Sequence, residues 1–397
     1  MALDPATRAA LFTFILTRLL ILFVLLLSAN IVFEAPVQTP FGVAHETSIS
    51  FQRQSIGAVL RQVTSGADSA WLLNIAINGY EKEPFNLATQ HTWAYFPLYP
   101  LLWRWAATLS GEFLLTGMAL SNCFLFFALL LLYKTVVAFG YDDAVAGRTI
   151  FYLAAFPTSY FFSLAQTESL FLLLTVGCLL AARRERWWLA GSLGALASAT
   201  RFAGVFLLLP LFVLWWQAYR TRAPANPQRS ASSVTTSALA LLLVPLGLVA
   251  FMIYLKAITG NPLAFADIQV AWGHSAGFFW RPLVTFLRTP MLVSRGWDFR
   301  LLNFSAAVMA LVCAAVLCKR REWALGLFAT ASIVVPMSSQ PLLQSLARYV
   351  MVAFPVFVVL AVAGRAPRVD QTIRAIFVGL LCLMSAMLAA GVTLAFA

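Results

Sequence analysis

The chain has 397 residues, 61% of them hydrophobic and only 11% charged, with a net charge of +12 and a mean hydropathy of +0.84. Soluble domains are about 45–50% apolar and about 25% charged, so a water-solvated globule is excluded and a single integral membrane domain over 1–397 is expected. The positive charge does not point to nucleic acid, because the basic residues sit in short clusters between apolar runs, the pattern of cytoplasmic loops.

In chain order, Asp4 and Arg8 precede an apolar run from Leu11 to Phe33 that is too long for a signal-peptide core. It reads as a first transmembrane helix over 9–33, which also targets the chain. Residues 34–112 are too polar to lie mostly in lipid but hold two helix-like pieces, near 68–79 and 97–110. The second is short for a crossing and carries Arg104, so both are expected to lie in the interface, where Trp and Tyr favour the headgroup level. The alternative, a crossing at 96–110, would invert every later loop.

Further spans are expected near 113–139, 149–164, 167–182, 187–200, 203–219, 233–257, 301–318, 323–338, 345–363 and 373–396, with a polar linker at 220–232. The fold class is therefore an all-α polytopic bundle of about eleven transmembrane helices, with interfacial helices in the first outer loop. Arg183-Arg184-Glu185-Arg186, Lys319-Arg320-Arg321 and Arg365, Arg368 and Arg374 mark inner ends and set a cytoplasmic N-terminus. Residues 34–112, 157–167, 258–300 and 338–345 then share the outer face, and the short helix pairs 149–182 and 187–219 would leave a cavity open to the outer leaflet. No internal repeat of transporter type is visible.

This topology sorts the fifteen acids. Asp4, Asp142, Asp143, Glu185, Glu322 and Asp370 fall at inner ends, Asp142-Asp143 reading as a solvated loop beside Arg148. Glu34, Glu46, Asp68, Glu81, Glu83, Glu112, Glu168, Asp267 and Asp298 are outer or embedded. Asp68 and Glu168 have apolar sequence on their C-terminal side; such acids are costly in lipid and tend to face a cavity. Asp68 reads either as a helix N-cap or as a catalytic base, and the two are compatible. Glu168 is either an acid favoured by a helix N-terminus or a functional group. Arg201, between two apolar runs, either snorkels to headgroups or binds a phosphate; Arg348, followed by Tyr349, is a similar case.

The loop 258–300 holds Gln269, Trp272, His274, Trp280 and Arg281. His274 there either meets a phosphate or sugar or is merely solvated; His45 and His91 are weaker candidates. The five cysteines (Cys123, Cys178, Cys313, Cys318 and Cys382) lie in apolar runs and read as buried hydrophobes. No His/carboxylate spacing makes a metal site, no phosphate-binding GxxxxGK[ST] loop is present, and no GxSxG elbow suggests a hydrolase. No cofactor is expected, and metal dependence stays open.

An ordered set of short motifs spans nearly the whole chain: Asp68-Ser69 through Ile75-Ala76 to Gly79-Tyr80; Phe96-Pro97-Leu98-Tyr99-Pro100; Phe156-Pro157-Thr158 with Glu168-Ser169-Leu170-Phe171; Ser198-Ala199-Thr200-Arg201 with Gly204; Gln269 with Ala271-Trp272-Gly273; and Arg348-Tyr349. In this the chain resembles the PIG-V-like mannosyltransferases, polytopic enzymes of the GT-C glycosyltransferase superfamily. The resemblance implies a GT-C-like bundle, a polyprenyl-phosphate-mannose donor and a catalytic base in the first outer loop, which maps to Asp68. Ala67 stands where the family often has Trp, and Phe202-Ala203 where small polar or Pro residues are more usual. The short charged loops and compact length resemble a prokaryotic member.

The function expected is inverting transfer of mannose to an acceptor hydroxyl on a glycan or glycolipid at the outer face of a prokaryotic plasma membrane, with no nucleic-acid partner. Asp68 would be catalytic, and Glu168, Arg201, Gln269, His274, Arg348 and Tyr349 substrate-binding. Two rivals stand beside it: a lipid or solute transporter or flippase, which shares the helix count and cavity but predicts acids buried mid-span, and a non-enzymatic subunit, which would tolerate loss of Asp68.

Overall fold

The computed structural model describes residues 3–33, 38–39, 42–43, 49–66, 68–222, 237–290, 300–339, 343 and 345–391. Glu34, Glu46, His45, Ala67 and Asp298, and residues 223–232 of the linker, lie outside them. Among the described residues the regular structure is helical apart from two short antiparallel pairings, Ile31–Phe33 with Ile49–Phe51 and Gln38–Thr39 with Gly42–Val43.

Helix α1 (Pro5–Ala29) starts where Asp4 accepts a hydrogen bond from the Thr7 amide at 2.7 Å, with Pro5 at its first position. It is followed by α2 (Ile56–Thr64), α3 (Asp68–Asn78), α4 (Leu98–Ser110), α5 (Leu114–Ala138), α6 (Asp143–Ala155), α7 (Glu168–Arg183), α8 (Trp187–Thr200) and α9 (Leu208–Arg222). The second half holds α10 (Leu246–Thr259), α11 (Ala264–Asp267), α12 (Arg281–Arg288), α13 (Arg300–Lys319), α14 (Trp323–Ser338), α15 (Leu346–Val352), α16 (Pro355–Ala363) and α17 (Pro367–Ala389).

Five of these stretches are long and apolar enough to cross a membrane: Pro5–Ala29, Leu114–Ala138, Phe202–Thr221, Arg300–Lys319 and Pro367–Ala389. The number rises to seven if two bent pairs each count as one span, Leu246–Thr259 with Ala264–Trp272 (84°) and Leu346–Val352 with Pro355–Ala363 (81°). The chain is therefore read as a multi-pass membrane protein, and the described residues show five to seven such spans where counting apolar runs suggests about eleven. The reason is length. Helices α6, α7 and α8 have 13, 16 and 14 residues and rise only about 20–24 Å, short of an apolar core about 30 Å thick. The run 149–164 breaks into a 3-10 turn at Ser159–Phe162, and the run 203–219 opens with another at Phe202–Leu207.

Contacts at the basic end join stretches assigned to one side. The Arg365 Nη2 donates to Asp142 at 2.6 Å, the Arg183 Nε to the Ala138 carbonyl at 3.1 Å, and the Tyr141 hydroxyl to Glu322. Asp142 and Asp143 are exposed, as expected of a solvated stretch, and each also has a partner: Asp142 caps α6 through the Val145 amide at 2.7 Å, and Asp143 accepts the Tyr133 hydroxyl at 2.9 Å.

The middle of the bundle is built differently. Arg18, mid-way along α1, has no carboxylate partner among the described residues; its guanidinium donates to the carbonyls of Ala154 (2.8 Å) and Ser159 (2.9 Å) and to the hydroxyls of Ser159 (3.1 Å) and Ser163 (3.0 Å). It thereby satisfies the backbone freed where α6 gives way to the 3-10 turn before α7. Arg18→Leu is expected to strand these acceptors and to cost about 1–3 kcal/mol. A lower melting temperature in detergent is the readout, and an unchanged one would mean the turn holds without the guanidinium.

A smaller apolar cluster joins the stretch after α3 to α10 and the segment that follows it, packing Tyr80, Trp93 and Phe96 against Phe251, Phe265 and Ile268. The Phe85 amide also donates to the Thr259 carbonyl at 3.0 Å.

Candidate active site

Four side chains singled out in the sequence meet at the end of the bundle opposite the basic clusters. Asp68 opens α3, Glu168 opens α7, Arg201 follows the last residue of α8, and Arg348 lies in α15. Arg348 donates through Nε to Glu168 Oε1 at 2.6 Å and through Nη1 to Asp68 Oδ2. Arg201 donates through Nη1 to the same Glu168 oxygen at 2.5 Å and to the Thr167 hydroxyl at 2.9 Å. The order is Asp68, Arg348, Glu168, Arg201, with two charges of each sign. Glu168 is fully buried and Arg348 nearly so, whereas Asp68 and Arg201 are partly open, their side chains 32% and 17% exposed.

The local fold explains each position. Neither acid caps its helix: among the described residues, the oxygens of Asp68 take the Arg348 guanidinium and the Tyr95 hydroxyl (2.9 Å), and no amide of α3 donates to them. The capping reading of Asp68 is thus replaced by ion pairing. Helix α3 is held at its other end by Arg104 of α4, whose guanidinium donates to the carbonyls of Ala76 (2.5 Å) and Ile77 (3.1 Å). Arg104 therefore supplies the donors that the last turn of α3 lacks.

Arg201 has extended backbone, φ −153° and ψ 146°, between α8 and the turn Phe202–Leu207. That turn folds back closely enough that a Cβ on Gly204 would fall 2.3 Å from the backbone of Ala197 and Ser198, so Gly204 is needed for the approach. Helix α15 starts from Ser345, whose φ of 51° is left-handed, and its Ala347 amide is taken up by the buried side chain of Asn303 at 2.8 Å. The pair α15–α16 then bends at Phe354-Pro355, as proline requires.

Burial alone would raise the Asp68 carboxyl, but the charge and hydrogen bond of Arg348, with the Tyr95 hydroxyl, outweigh it and hold the group below its ordinary range. Asp68 is therefore ionised at neutral pH. Glu168 Oε2 is buried without a hydrogen bond among the described residues, as are both amide atoms of Gln166 two positions earlier.

Tyr349 lies under Arg201, its ring centre 5.6 Å from the guanidinium carbon. Gln269 and His274 are brought to each other instead, 2.7 Å apart, and neither bonds to the quartet. Burial lowers the His274 pKa, so the ring is neutral at pH 7. Sequence reasoning missed Tyr95 and Trp71, which lie in or near the aromatic-rich stretch but carry no pattern that distinguishes them from buried neighbours.

Sequence spacing also missed a three-residue group in the loop between α3 and α4. The His91 Nδ1 lies 3.0 Å from Glu81 Oε2 and 3.3 Å from Glu83 Oε1, and the three ligand atoms fall within 4.8 Å of one another. These are the residues that could hold a metal ion. His91 also has Asn86 and Thr89 at Nε2, 3.1 and 3.2 Å away, and Glu81 accepts from the amide and hydroxyl of Thr92 (3.1 and 3.2 Å), so the group doubles as a hydrogen-bonded clasp of the loop. A cavity of about 290 Å³ opens at the basic end beside Asp4, Tyr133, Lys134, Asp143 and Arg184, away from the quartet.

No protein-family model and no curated protein matches the chain. Its helix arrangement is similar to that of the Archaeoglobus fulgidus oligosaccharyltransferase in two crystal structures, one tethered with an acceptor peptide containing the NVT sequon and one in the apo form. The TM-score is 0.44 for both, with 13% and 12% identity, over 98% of this chain and 55% of that one. The chain spans about half the length of those structures, and a likeness at this level carries no argument about its chemistry.

Proposed function

We propose that the chain is a membrane glycosyltransferase that moves a sugar, with mannose the first choice, from a polyprenyl-phosphate donor to a hydroxyl of a glycan or glycolipid. The observation that carries the reading is the quartet itself: an ionised, partly open carboxylate is held beside guanidinium groups at the ends of apolar helices. Such a place suits a lipid whose tail stays in the bilayer and whose charged head must be gripped. The basic clusters at the other end support an extracytoplasmic site and a cytoplasmic N-terminus. The likeness to PIG-V-like enzymes, and through them to the GT-C superfamily, rests on the ordered motifs. Four of the residues in those motifs form this one cluster.

In this mechanism Asp68 takes the proton of the acceptor hydroxyl as its oxygen attacks C1 of the donor sugar. The bond from C1 to the phosphate oxygen breaks, polyprenyl phosphate leaves with the electron pair, and the anomeric centre inverts. Polyprenyl phosphate needs no strong acid to leave, but positive charge on it helps. The two arginines divide the work. Arg348 spends two edges of its guanidinium on Asp68 and Glu168 and positions the base. Arg201 hydrogen-bonds only through Nη1 among the described residues and is the more open of the two, so its remaining edge is the phosphate ligand. Glu168 holds both arginines in place.

The transporter reading predicts acids in mid-span; here Asp68 and Glu168 are the first residues of their helices, which favours chemistry at one surface. The test is incubation of purified protein with polyprenyl-phosphate mannose and a panel of acceptors, following released polyprenyl phosphate. No release with any acceptor, or with donors carrying other sugars, removes the enzyme reading. For Arg201→Ala, donor KM is expected to rise about tenfold, the loss of one charge-assisted contact, with Glu168 still paired to Arg348. An unchanged donor KM would reassign Arg201 to packing.

A further inference from the structure

Beside Asp68 lies a group of rings that the mechanism above does not use. Trp71 sits one turn along α3 from Asp68, Tyr95 follows the turn Thr92–Ala94, and Trp272 ends the turn Ile268–Trp272 in the other outer loop. Trp71 is stacked on Tyr95 with ring centres 6.1 Å apart; Trp272 meets both edge-on, at 5.3 and 5.8 Å. We propose that Trp71, Tyr95 and Trp272 form a stacking subsite for a pyranose ring of the acceptor, holding its hydroxyl toward Asp68. The proposal rests on the transfer reading and adds where the acceptor binds and what class of molecule it is.

Exposure separates these rings from structural aromatics of the same stretch. Trp93, Tyr99 and Trp103 are fully buried, whereas all three rings of the group are partly open. Their frame is rigid. The Tyr80 hydroxyl donates to the Tyr95 carbonyl at 2.7 Å, the Gln90 amide to the Ala271 carbonyl at 3.4 Å, and Arg104 fixes the end of α3. The indole N–H of Trp272 is buried without an acceptor among the described residues, a donor that a sugar hydroxyl would satisfy after a small turn of the ring.

Ring faces carry partial negative charge and attract the weakly positive C–H face of a sugar, while the hydroxyl rim stays free for polar groups. Binding sites of this kind pair apolar walls with a few placed polar groups, here Asp68 and the Tyr95 hydroxyl. The division between donor and acceptor follows from the carboxylate. Its Oδ2 edge faces Arg348 and the arginine side of the site, and its Oδ1 edge faces Tyr95. Inversion puts acceptor and leaving phosphate on opposite sides of C1, so the aromatic edge is the acceptor side.

The test uses purified full-length protein in detergent and methyl α-mannopyranoside, which has no lipid tail, as the probe. Saturation-transfer NMR should show the glycoside bound by wild type and by Trp272→Phe, and three- to ten-fold more weakly by Trp272→Ala. That range corresponds to about 0.7–1.4 kcal/mol, within what one ring contact contributes. Melting temperatures of both variants show whether the loop has kept its fold. In parallel, in transfer assays Trp272→Ala should raise KM for the glycoside acceptor more than KM for polyprenyl-phosphate mannose, whose headgroup the rings do not hold. Equal glycoside binding by wild type and Trp272→Ala would overturn the subsite, as would a variant whose KM rises for the donor alone. Trp272-dependent glycoside binding in a protein that turns over no donor would leave the subsite standing and remove the transfer reading.

Discussion

Asp68→Asn is expected to lower transfer by about 10²–10⁴-fold, the range a positioned general base contributes, while keeping the fold and donor affinity. Asn has the same shape; its single oxygen can accept from Arg348 while its NH2 donates to the Tyr95 hydroxyl oxygen, and Arg348 keeps its second acid, Glu168. What disappears is the group that accepts the proton. The pH profile is part of the expectation. The folded carboxyl lies below its ordinary value of 3.8 because Arg348 and Tyr95 together outweigh the effect of burial. A depressed acid contributes stability that is fully present above its unfolded pKa and is lost as pH falls through its folded pKa. Because the carboxyl is held below 3.8, wild-type transfer should show no acid limb from Asp68 between about pH 5 and 8. Release of polyprenyl phosphate at wild-type rate by Asp68→Asn would remove the residue from its role.

Arg348→Ala is expected to have the largest effect on stability. It leaves Asp68 without its cation and Glu168, fully buried, with only Arg201. Removing one partner of a buried pair costs about 3–5 kcal/mol, because the remaining charge keeps its desolvation penalty and loses its compensation. The variant should melt well below wild type in detergent and show little transfer. Arg348→Lys should recover part of the melting temperature but not the activity: an ammonium is a point charge and cannot reach Asp68 and Glu168 from two edges of one plane. Pairing Arg348→Ala with Glu168→Gln should cost less than the two changes added, since the second removes the charge that the first strands. A wild-type melting temperature for Arg348→Ala would show that the quartet carries no such coupling.

Much of the helical layout was legible in order and extent. The run 9–33 corresponds to α1, 113–139 to α5, 167–182 to α7 and 301–318 to α13, and the two pieces expected in the first outer loop became α3 and α4. Long apolar runs ended by charges or proline identify themselves locally. The crossing count did not carry over in the same way, because apolar character says that a run avoids water, not that it is straight. The bends at 260–263 and 353–354 and the 3-10 turns at 159–162 and 202–207 depend on what packs against them.

The site was legible as a set of candidates and not as an arrangement. Asp68, Glu168, Arg201 and Arg348 stood out because charge is rare in apolar sequence, while Gln269 and His274 were candidates too, yet they bond to each other and to the Phe265 carbonyl and not to the quartet. Tyr95 was one ring among many until its hydroxyl was seen on Asp68. Glu81, Glu83 and His91 had no ligand spacing because the loop that gathers them is irregular.

By itself the sequence determined the solvent of this protein and the few charged groups it keeps near lipid, since hydrophobicity is a property of each segment alone. Only the tertiary structure decided what those charges do. A carboxylate at a helix start caps its own backbone unless a cation reaches it first, and here that cation is 280 residues away in sequence.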